Sequence, residues 1–398
     1  MNYSIISPPS TNIESLLSEC PLTPFAPDVI EFISALSDTI FKDNTLKTLP
    51  ELVALAFWLR PANILKLRSD FETKWRNHFL IGRGLAFHIA PANVDTIFIY
   101  SWFLSMLAGN TNIIRLSTHT APQVQLLINA INSIKDDRTA RRFMLVHYGH
   151  NEDITAYFSG LCNVRIIWGG DNTISTIRKI PLRPTAVELA FADRFSLCII
   201  NAHAFIEMED KTHTIEKFYN DAYWFNQMAC SSPRLVVWIG NSDDADLART
   251  IFWQMLKDII IKKSPDFIAS KAVDKLATMQ SLAIKYDNIK IEKTDLNLLN
   301  RVLLKTPESI DRTLHCGGGL FYELILSDLD ALQCVLTAKE QTVSVIGFTR
   351  DEILCFLNKT KPRGIDRIVS VGKSLQFSSV WDGFDLLREF SKEVDIEL

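Results

Sequence analysis

"GLAFHIAPANVDTIFIYSWFLSMLAGNTNIIRLS", residues 84–117, decides the fold. "GLAFHIA" is a short apolar run and reads as a buried strand. "VDTIFIYSWFLSMLAG" is too long for a strand, and Gly109 supplies a helix stop, so it reads as a helix. "TNIIRLS" returns to a strand. Strand, helix and strand in this order make one crossover unit of a parallel sheet. The longest apolar run, the 14 residues "TIFIYSWFLSMLAG", falls short of the roughly 20 that a membrane-spanning helix needs. It is expected in a protein core.

The alternation continues on the C-terminal side. "APQVQLLINAINSI" reads as a helix, "RRFMLVHYG" as a strand, "NEDITAYFSGL" as a helix and "NVRIIWGG" as a strand. A second set of strands begins near residue 196, with "RFSLCIIN", "RLVVWIG", "GGGLFYELILS" and "QTVSVIGF". The helix-like segments "IEKFYNDAYWFNQM" and "SDDADLARTIFWQMLKDIII" lie among them. Upstream, residues 1–75 carry apolar residues at helical spacing, with a cap expected at Thr11. The tail has Gly-centred turns and an expected final helix. The fold class is α/β, with two twisted, mostly parallel sheets and an N-terminal helical region. The expected divisions are 1–75, a nucleotide-binding domain over 76–195, a catalytic domain over 196–358, and a segment over 359–398 that closes the cleft and returns to the body.

Composition narrows the function. The chain of 398 residues is 47% hydrophobic and 22% charged, as an ordinary globular protein is. A net charge of −4 gives no electrostatic case for nucleic acid or an anionic membrane. The seven cysteines are scattered and form no CxxC pair or Cys/His cluster, so no metal site is expected. That usage suits free thiols in a reducing cytoplasm. "MNYSIISPPS", residues 1–10, does not read as a signal peptide.

Four stretches can carry chemistry. In "HIAPANVD" the turn Pro91–Asn93 follows a strand, and its amide can stabilise an oxyanion or cap the next helix. In "AGNTNIIRLST" Arg115 ends a strand with Ser117 nearby, a pairing that holds ribose or phosphate, or an ordinary surface arginine. In "VRIIWGGDNTISTIR" Gly169 and Gly170 open a helix, which allows close approach of a cofactor or a plain tight turn. In "NQMACSSPRLV" Cys230 sits in a polar loop entering a strand, where a nucleophile has access to substrate. Cys162, Cys198, Cys334 and Cys355 lie in apolar periodic stretches and are expected to be buried. Cys316 in "HCGGG" is the rival thiol, with His315 as a possible base.

The order of these pieces resembles the aldehyde dehydrogenase superfamily. Within it, "WGGDNTISTIR", "NQMACSSPRLV", "QTVSVIGF", "RGIDRIVSVG" and "WDGFDLL" are similar to the LuxC-type fatty acyl-CoA reductases of luminescence operons. The resemblance spans residues from about 80 to 398. It implies that Cys230 is acylated by a fatty acyl-CoA or acyl-protein and that NADPH reduces the acyl group to an aldehyde. It implies Asn93 and the Cys230 N–H as the oxyanion hole, and Glu188 of "AVELAF" at the superfamily's general-base position. It places Ile89, Ala90, Pro91, Arg115, Ser117, Gly169 and Gly170 at the cofactor. An acyl-protein synthetase partner and a homo-oligomer are further implications. So is a chain shorter than the luminescence enzymes at its N-terminus.

The chain departs from the superfamily in three places. Gln227 stands three residues before Cys230, Ala190 and Phe191 replace two glycines after Glu188, and Glu340 is offset from the ribose-binding glutamate. Aldehyde oxidation and a catalytically silent acyl-transfer scaffold are the competing readings.

Overall fold

A computed structural model describes residues 3–90, 97–117, 122–264 and 269–398. The chain forms two compact units. One comprises residues 1–193 and 377–398, the other residues 194–376.

Before residue 194 the strands of the first unit are β1 (Ser4–Ser7), β2 (Phe79–Gly82), β3 (Leu85–Ile89), β4 (Thr111–Leu116), β5 (Phe143–His147), β6 (Val164–Trp168) and β7 (Val187–Phe191). Six of them form one sheet in the order β1-β5-β4-β3-β6-β7. Its pairs are parallel except β1 with β5. Every residue of β3 and β6 is buried, which is why these strands read as near-continuous apolar runs.

The apolar helix Ile97–Leu107 is a core helix, as expected. Phe98 to Leu107 are almost wholly buried. Phe32 of the helix Pro27–Lys42 packs its ring 5.9 Å from Phe103, and Trp58 lies 5.4 Å from Tyr100. The N-terminal helices therefore supply the cover that lipid would otherwise have to provide. Among the described residues no helix is long and apolar enough to cross a membrane. At Gly109 the backbone has φ +96°, and an added Cβ would stand 2.0 Å from the Leu22 carbonyl oxygen. Only glycine fits that turn.

The second unit holds β8 (Phe195–Asn201), β9 (Pro233–Ile239), β10 (Ile289–Ile291), β11 (Asn300–Leu304), β12 (Leu320–Leu326), β13 (Glu340–Ile346) and β14 (Arg367–Ser370). Their order is β10-β11-β12-β9-β8-β13-β14, and the pairs are parallel except β10 with β11. Both sheets thus follow the expected α/β pattern.

Several local expectations change. The first helix is capped by Asn12 rather than Thr11, and Ser4–Ser7 form a strand within the region expected to be helical. Those N-terminal residues belong to the first unit. The tail turns back into the first unit at Phe377, because residues 367–370 first pair with β13. The expected final helix is one turn, Leu386–Glu389, followed by the strand Ser391–Val394 paired with β2. Cys334 and Cys355 are exposed, on a short 3-10 turn and an amphipathic helix, while Cys162 and Cys198 are buried.

Glu323 shows how the second unit accommodates a buried charge. Glu323 on β12 has no exposed side chain. It accepts from Arg249 Nε at 2.9 Å, Arg301 Nη1 at 3.3 Å, Trp238 Nε1 at 3.1 Å and Trp253 Nε1 at 2.7 Å. Removing one partner of such a set leaves uncompensated charge in a low dielectric. Glu323→Ala is expected to lower unfolding stability by about 3–5 kcal/mol in urea denaturation.

Two imidazoles are held neutral. His88 on β3 meets Asn112 Oδ1 at 3.0 Å and Ser101 Oγ at 3.1 Å, so its Nε2 carries the proton. Burial pushes it down to about 3, and burial does the same to His315 in the second unit. Below about pH 6.5 the unfolded imidazoles bind protons that the folded ones refuse, so stability falls as pH falls. Asp221, pushed up to about 6 by burial, keeps its proton when folded and opposes one of the two imidazoles between about pH 4 and 6. The expected result is a net fall in urea midpoint from pH 7 to 4.5, each histidine contributing about 2–3 kcal/mol. A flat profile would contradict it.

Candidate active site

The loop that carries Cys230 begins where the helix Lys211–Tyr223 ends. Asn226 and Gln227 then take left-handed backbone, φ 50° and 61°. This reversal aims the Gln227 side chain inward, where it is 1% exposed. Its Nε2 donates to Pro233 O at 3.0 Å and its Oε1 accepts from Gly319 N at 3.0 Å. One amide therefore ties the entry of the loop to its exit and to the Gly-rich turn. That is a structural reason for Gln three residues before the cysteine.

The Gly-rich turn serves the same loop. Gly317, Gly318 and Gly319 all have positive φ. A Cβ on Gly317 would come within 2.7 Å of Met228 Sδ, and one on Gly319 within 2.0 Å of Leu298 O. Gly318 N donates to Asn226 O at 2.9 Å. Lys275 Nζ donates to Gly318 O at 2.8 Å and also to Asn297 O. Burial lowers that ammonium to about 8.

The rival thiol loses its base in this setting. His315 Nε2 donates to Leu320 O at 3.0 Å, and its Nδ1 accepts from Gly317 N at 3.2 Å. Both ring nitrogens are used within the turn. Burial raises the Cys316 thiol above its ordinary range.

Cys230 itself is half-buried and forms no disulfide. Its carbonyl accepts from Ser196 Oγ at 2.6 Å, and Gln341 Nε2 approaches its Sγ at 3.6 Å. Ser232 Oγ donates to Asp221 O at 2.8 Å. The Asp221 carboxylate accepts from Gly372 N at 2.6 Å and from Ser374 N and Oγ at 3.1 and 3.0 Å. The polar residues around Cys230 thus include a bonded scaffold, with a half-buried sulfur beside a side-chain amide.

The residues expected at a cofactor gather in the first unit. Ile89 ends β3 and Ala90 follows it, Arg115 lies near the end of β4, and Gly169 and Gly170 follow β6. These strands are neighbours, with Ile89 in register with both Arg115 and Ile167. Ala90 N donates to Arg115 O at 3.2 Å. The C-terminal ends of adjacent parallel strands are where such sheets bind ligands. Arg115 lies over the Tyr148 ring at 5.1 Å, and its buried Nε has no hydrogen-bond partner among the described residues. His147 Nε2, at the end of the adjacent β5, is likewise unpartnered among them. Sequence reasoning missed His147, which reads as one polar residue in an apolar strand. An orphaned guanidinium N–H at this edge, with Ser117 following β4, fits a phosphate-bearing cofactor. Gly170 caps the helix Asp171–Ile177 with φ −66°, so no positive φ requires glycine there. Pro91 and Asn93 lie outside the described residues.

Glu188 is placed differently from a base waiting for a proton. Its Oε2 accepts from Arg165 Nε and Nη2 at 2.9 and 2.5 Å, and its Oε1 from Arg178 Nε at 2.7 Å. Arg165 faces it in register across β6 and β7. Glu340 is also engaged, by Arg312 Nε at 2.5 Å and by Thr337 N and Oγ1 at 2.5 and 2.8 Å.

The sequence model of the acyl-CoA reductase (LuxC) family matches residues 65–393. The chain belongs to the LuxC acyl-CoA reductase family. Solved structures of aldehyde dehydrogenases share the fold. A Thermus thermophilus 1-pyrroline-5-carboxylate dehydrogenase variant superposes with TM-score 0.66 at 12% identity, over 92% of this chain and 80% of that one. Escherichia coli lactaldehyde dehydrogenase gives 0.65 at 12% identity, over 92% and 85%. Staphylococcus aureus AldH gives 0.64 at 15%, over 92% and 88%. No curated protein sequence matches the chain. The LuxC-type chain is therefore a cysteine-dependent oxidoreductase of a nicotinamide-cofactor fold.

The ion pairs at Glu188 yield a test. Glu188→Gln is expected to destabilise the enzyme while changing kcat for acyl-CoA reduction by less than about tenfold, since losing a working base typically costs 10²–10⁴. Parallel thermal melting and steady-state kinetics check it.

Proposed function

We propose that this LuxC-type enzyme uses NADPH to reduce a fatty acyl thioester to the aldehyde through an acyl-Cys230 intermediate. The observation that carries the reading is the half-buried Cys230 sulfur, held by a bonded loop and approached by a side-chain amide. The Cys230 thiolate attacks the thioester carbonyl, forming a new C–S bond. The bond to CoA breaks, and the departing thiolate takes a proton from solvent. The backbone N–H of Cys230 is proposed as one oxyanion donor, and Asn93 of the Pro-X-Asn motif as the second. NADPH, held by the residues named below, would supply a hydride, and the acyl group would become the thiohemiacetal anion, its oxygen charge met by the oxyanion donors. Cys230 then leaves with its electron pair, which releases the aldehyde and restores the thiolate.

Arg115, Ser117, Ile89, Ala90 and Pro91 are proposed to hold the cofactor, with Gly169 and Gly170 bordering it. The unpartnered Arg115 Nε supports an anionic ligand there. A 2′-phosphate, and hence NADPH, suits that cation best. The reduction needs no activated water, so an ion-paired Glu188 is compatible with it; hydrolytic release during aldehyde oxidation requires a base. An acyl-protein as alternative donor, an acyl-protein synthetase partner, a homo-oligomer and a cytoplasmic setting complete the proposal.

Intact-mass analysis after mixing with acyl-CoA is the test. The enzyme is expected to gain one acyl group, and NADPH is expected to discharge it. Cys230→Ala is expected to lose both the adduct and NADPH consumption. An adduct that persists in this variant would sink the assignment.

A further inference from the structure

We propose that Gln341 is a catalytic residue, whose side-chain amide donates to the Cys230 sulfur and stabilises it as an anion. The inference rests on Cys230 being the nucleophile and adds a residue that the sequence motifs do not point to. Gln341 is 111 positions away in sequence, on β13, and is 2% exposed. Its Nε2 stands 3.6 Å from Cys230 Sγ, within the range of a hydrogen bond to sulfur. Its Oε1 accepts from Thr342 Oγ1 at 3.3 Å, which sets the NH₂ end toward the sulfur.

The approach is fixed by backbone as well as by side chain. Ser196 Oγ donates to Cys230 O at 2.6 Å and accepts from Thr342 N at 3.2 Å. A single buried hydroxyl thus joins the peptide of Cys230 to the peptide that follows Gln341. On its other side, Gln341 O accepts from Asp366 N at 2.9 Å. Such a pinned donor loses little entropy in meeting a charge. An N–H bonded to an ionised acceptor is about twice as strong as a neutral pair, and more so where water is scarce.

The amide serves the sulfur twice. It raises the thiolate fraction before attack, and it stabilises the thiolate that departs when the thiohemiacetal collapses. A thiolate held in this way is a better leaving group. No atom or electron passes through Gln341.

The test reads the thiol directly and needs no acyl-CoA. Alkylation of Cys230 by iodoacetamide is followed against pH by peptide mass in the full-length enzyme, in Gln341→Met and in Gln341→Glu. Met removes the donor at similar volume; Glu keeps the shape but sets a carboxylate against the sulfur. The midpoint of alkylation is expected to rise by about one to two pH units in Met and further in Glu. Acylation by acyl-CoA at pH 7 is expected to slow by about tenfold to a hundredfold in Met. Thermal melting verifies that each variant is folded, and Glu alone decides the matter if Met is not. A midpoint unchanged in the folded variants overturns the proposal. If the midpoint rises but the wild-type enzyme takes no acyl group, Gln341 stands as the donor to the thiol and the reductase reading falls.

Discussion

The buried side-chain amide of Gln227 is the interaction on which the reactive loop depends. Between Tyr223 and Pro233 the backbone bonds include short-range ones, Met228 N to Phe225 O and Ser232 N to Ala229 O, and one from Gly318 N of the Gly-rich turn to Asn226 O. The short-range ones shape turns, and Ser196 Oγ holds the Cys230 carbonyl to β8. Gln227 bonds Pro233 O and, across 92 positions, Gly319 N. A buried amide with either end unmet would cost about 1–3 kcal/mol, so the sheet, the Gly-rich turn and the loop must form together. The left-handed backbone at Asn226 and Gln227 and the three consecutive positive-φ glycines follow from that single constraint.

The same economy governs the charges. Arg165 and Glu188 meet in register on adjacent strands, and Glu323 gathers two guanidinium and two indole donors. Such buried ions are retained only when their hydrogen-bonding capacity is filled. His88 and His315 are kept neutral in the same spirit, with both ring nitrogens engaged. Arg115 Nε and His147 Nε2 are among the buried polar atoms without a hydrogen-bond partner among the described residues. They lie at the C-terminal ends of adjacent parallel strands, where the proposed cofactor would supply a partner.

Much of this was legible in the sequence for a physical reason. Parallel strands buried on both faces must be apolar runs, and the crossover helices must carry a helical period, so the segments from residue 84 onward announce themselves. The loop of Cys230 was legible through its order among the other motifs. What the sequence hides is partnership at long range. Glu188 reads as a base from its place in "AVELAF", yet its role depends on Arg165 and Arg178, which no local pattern marks. Ser4–Ser7 is four residues long and pairs only with β5, so it lacks a period to recognise. His315 and Cys316 look like a base and a thiol because they are adjacent, but the Gly-rich turn consumes both imidazole nitrogens.

A sulfur that must attack and then depart faces opposed demands. Raising its basicity strengthens attack by the thiolate but lowers the fraction ionised and makes it a poorer leaving group. A neutral donor near the sulfur resolves the conflict better than a cation would, because it stabilises the anion moderately and does not bind it as an ion pair. Gln341 is such a donor, placed by a strand rather than by the loop that carries the cysteine. The Ser196 hydroxyl holds the Cys230 peptide to the strand of Gln341, so the amide meets the anion each time it reappears, before attack and again after the thiohemiacetal collapses.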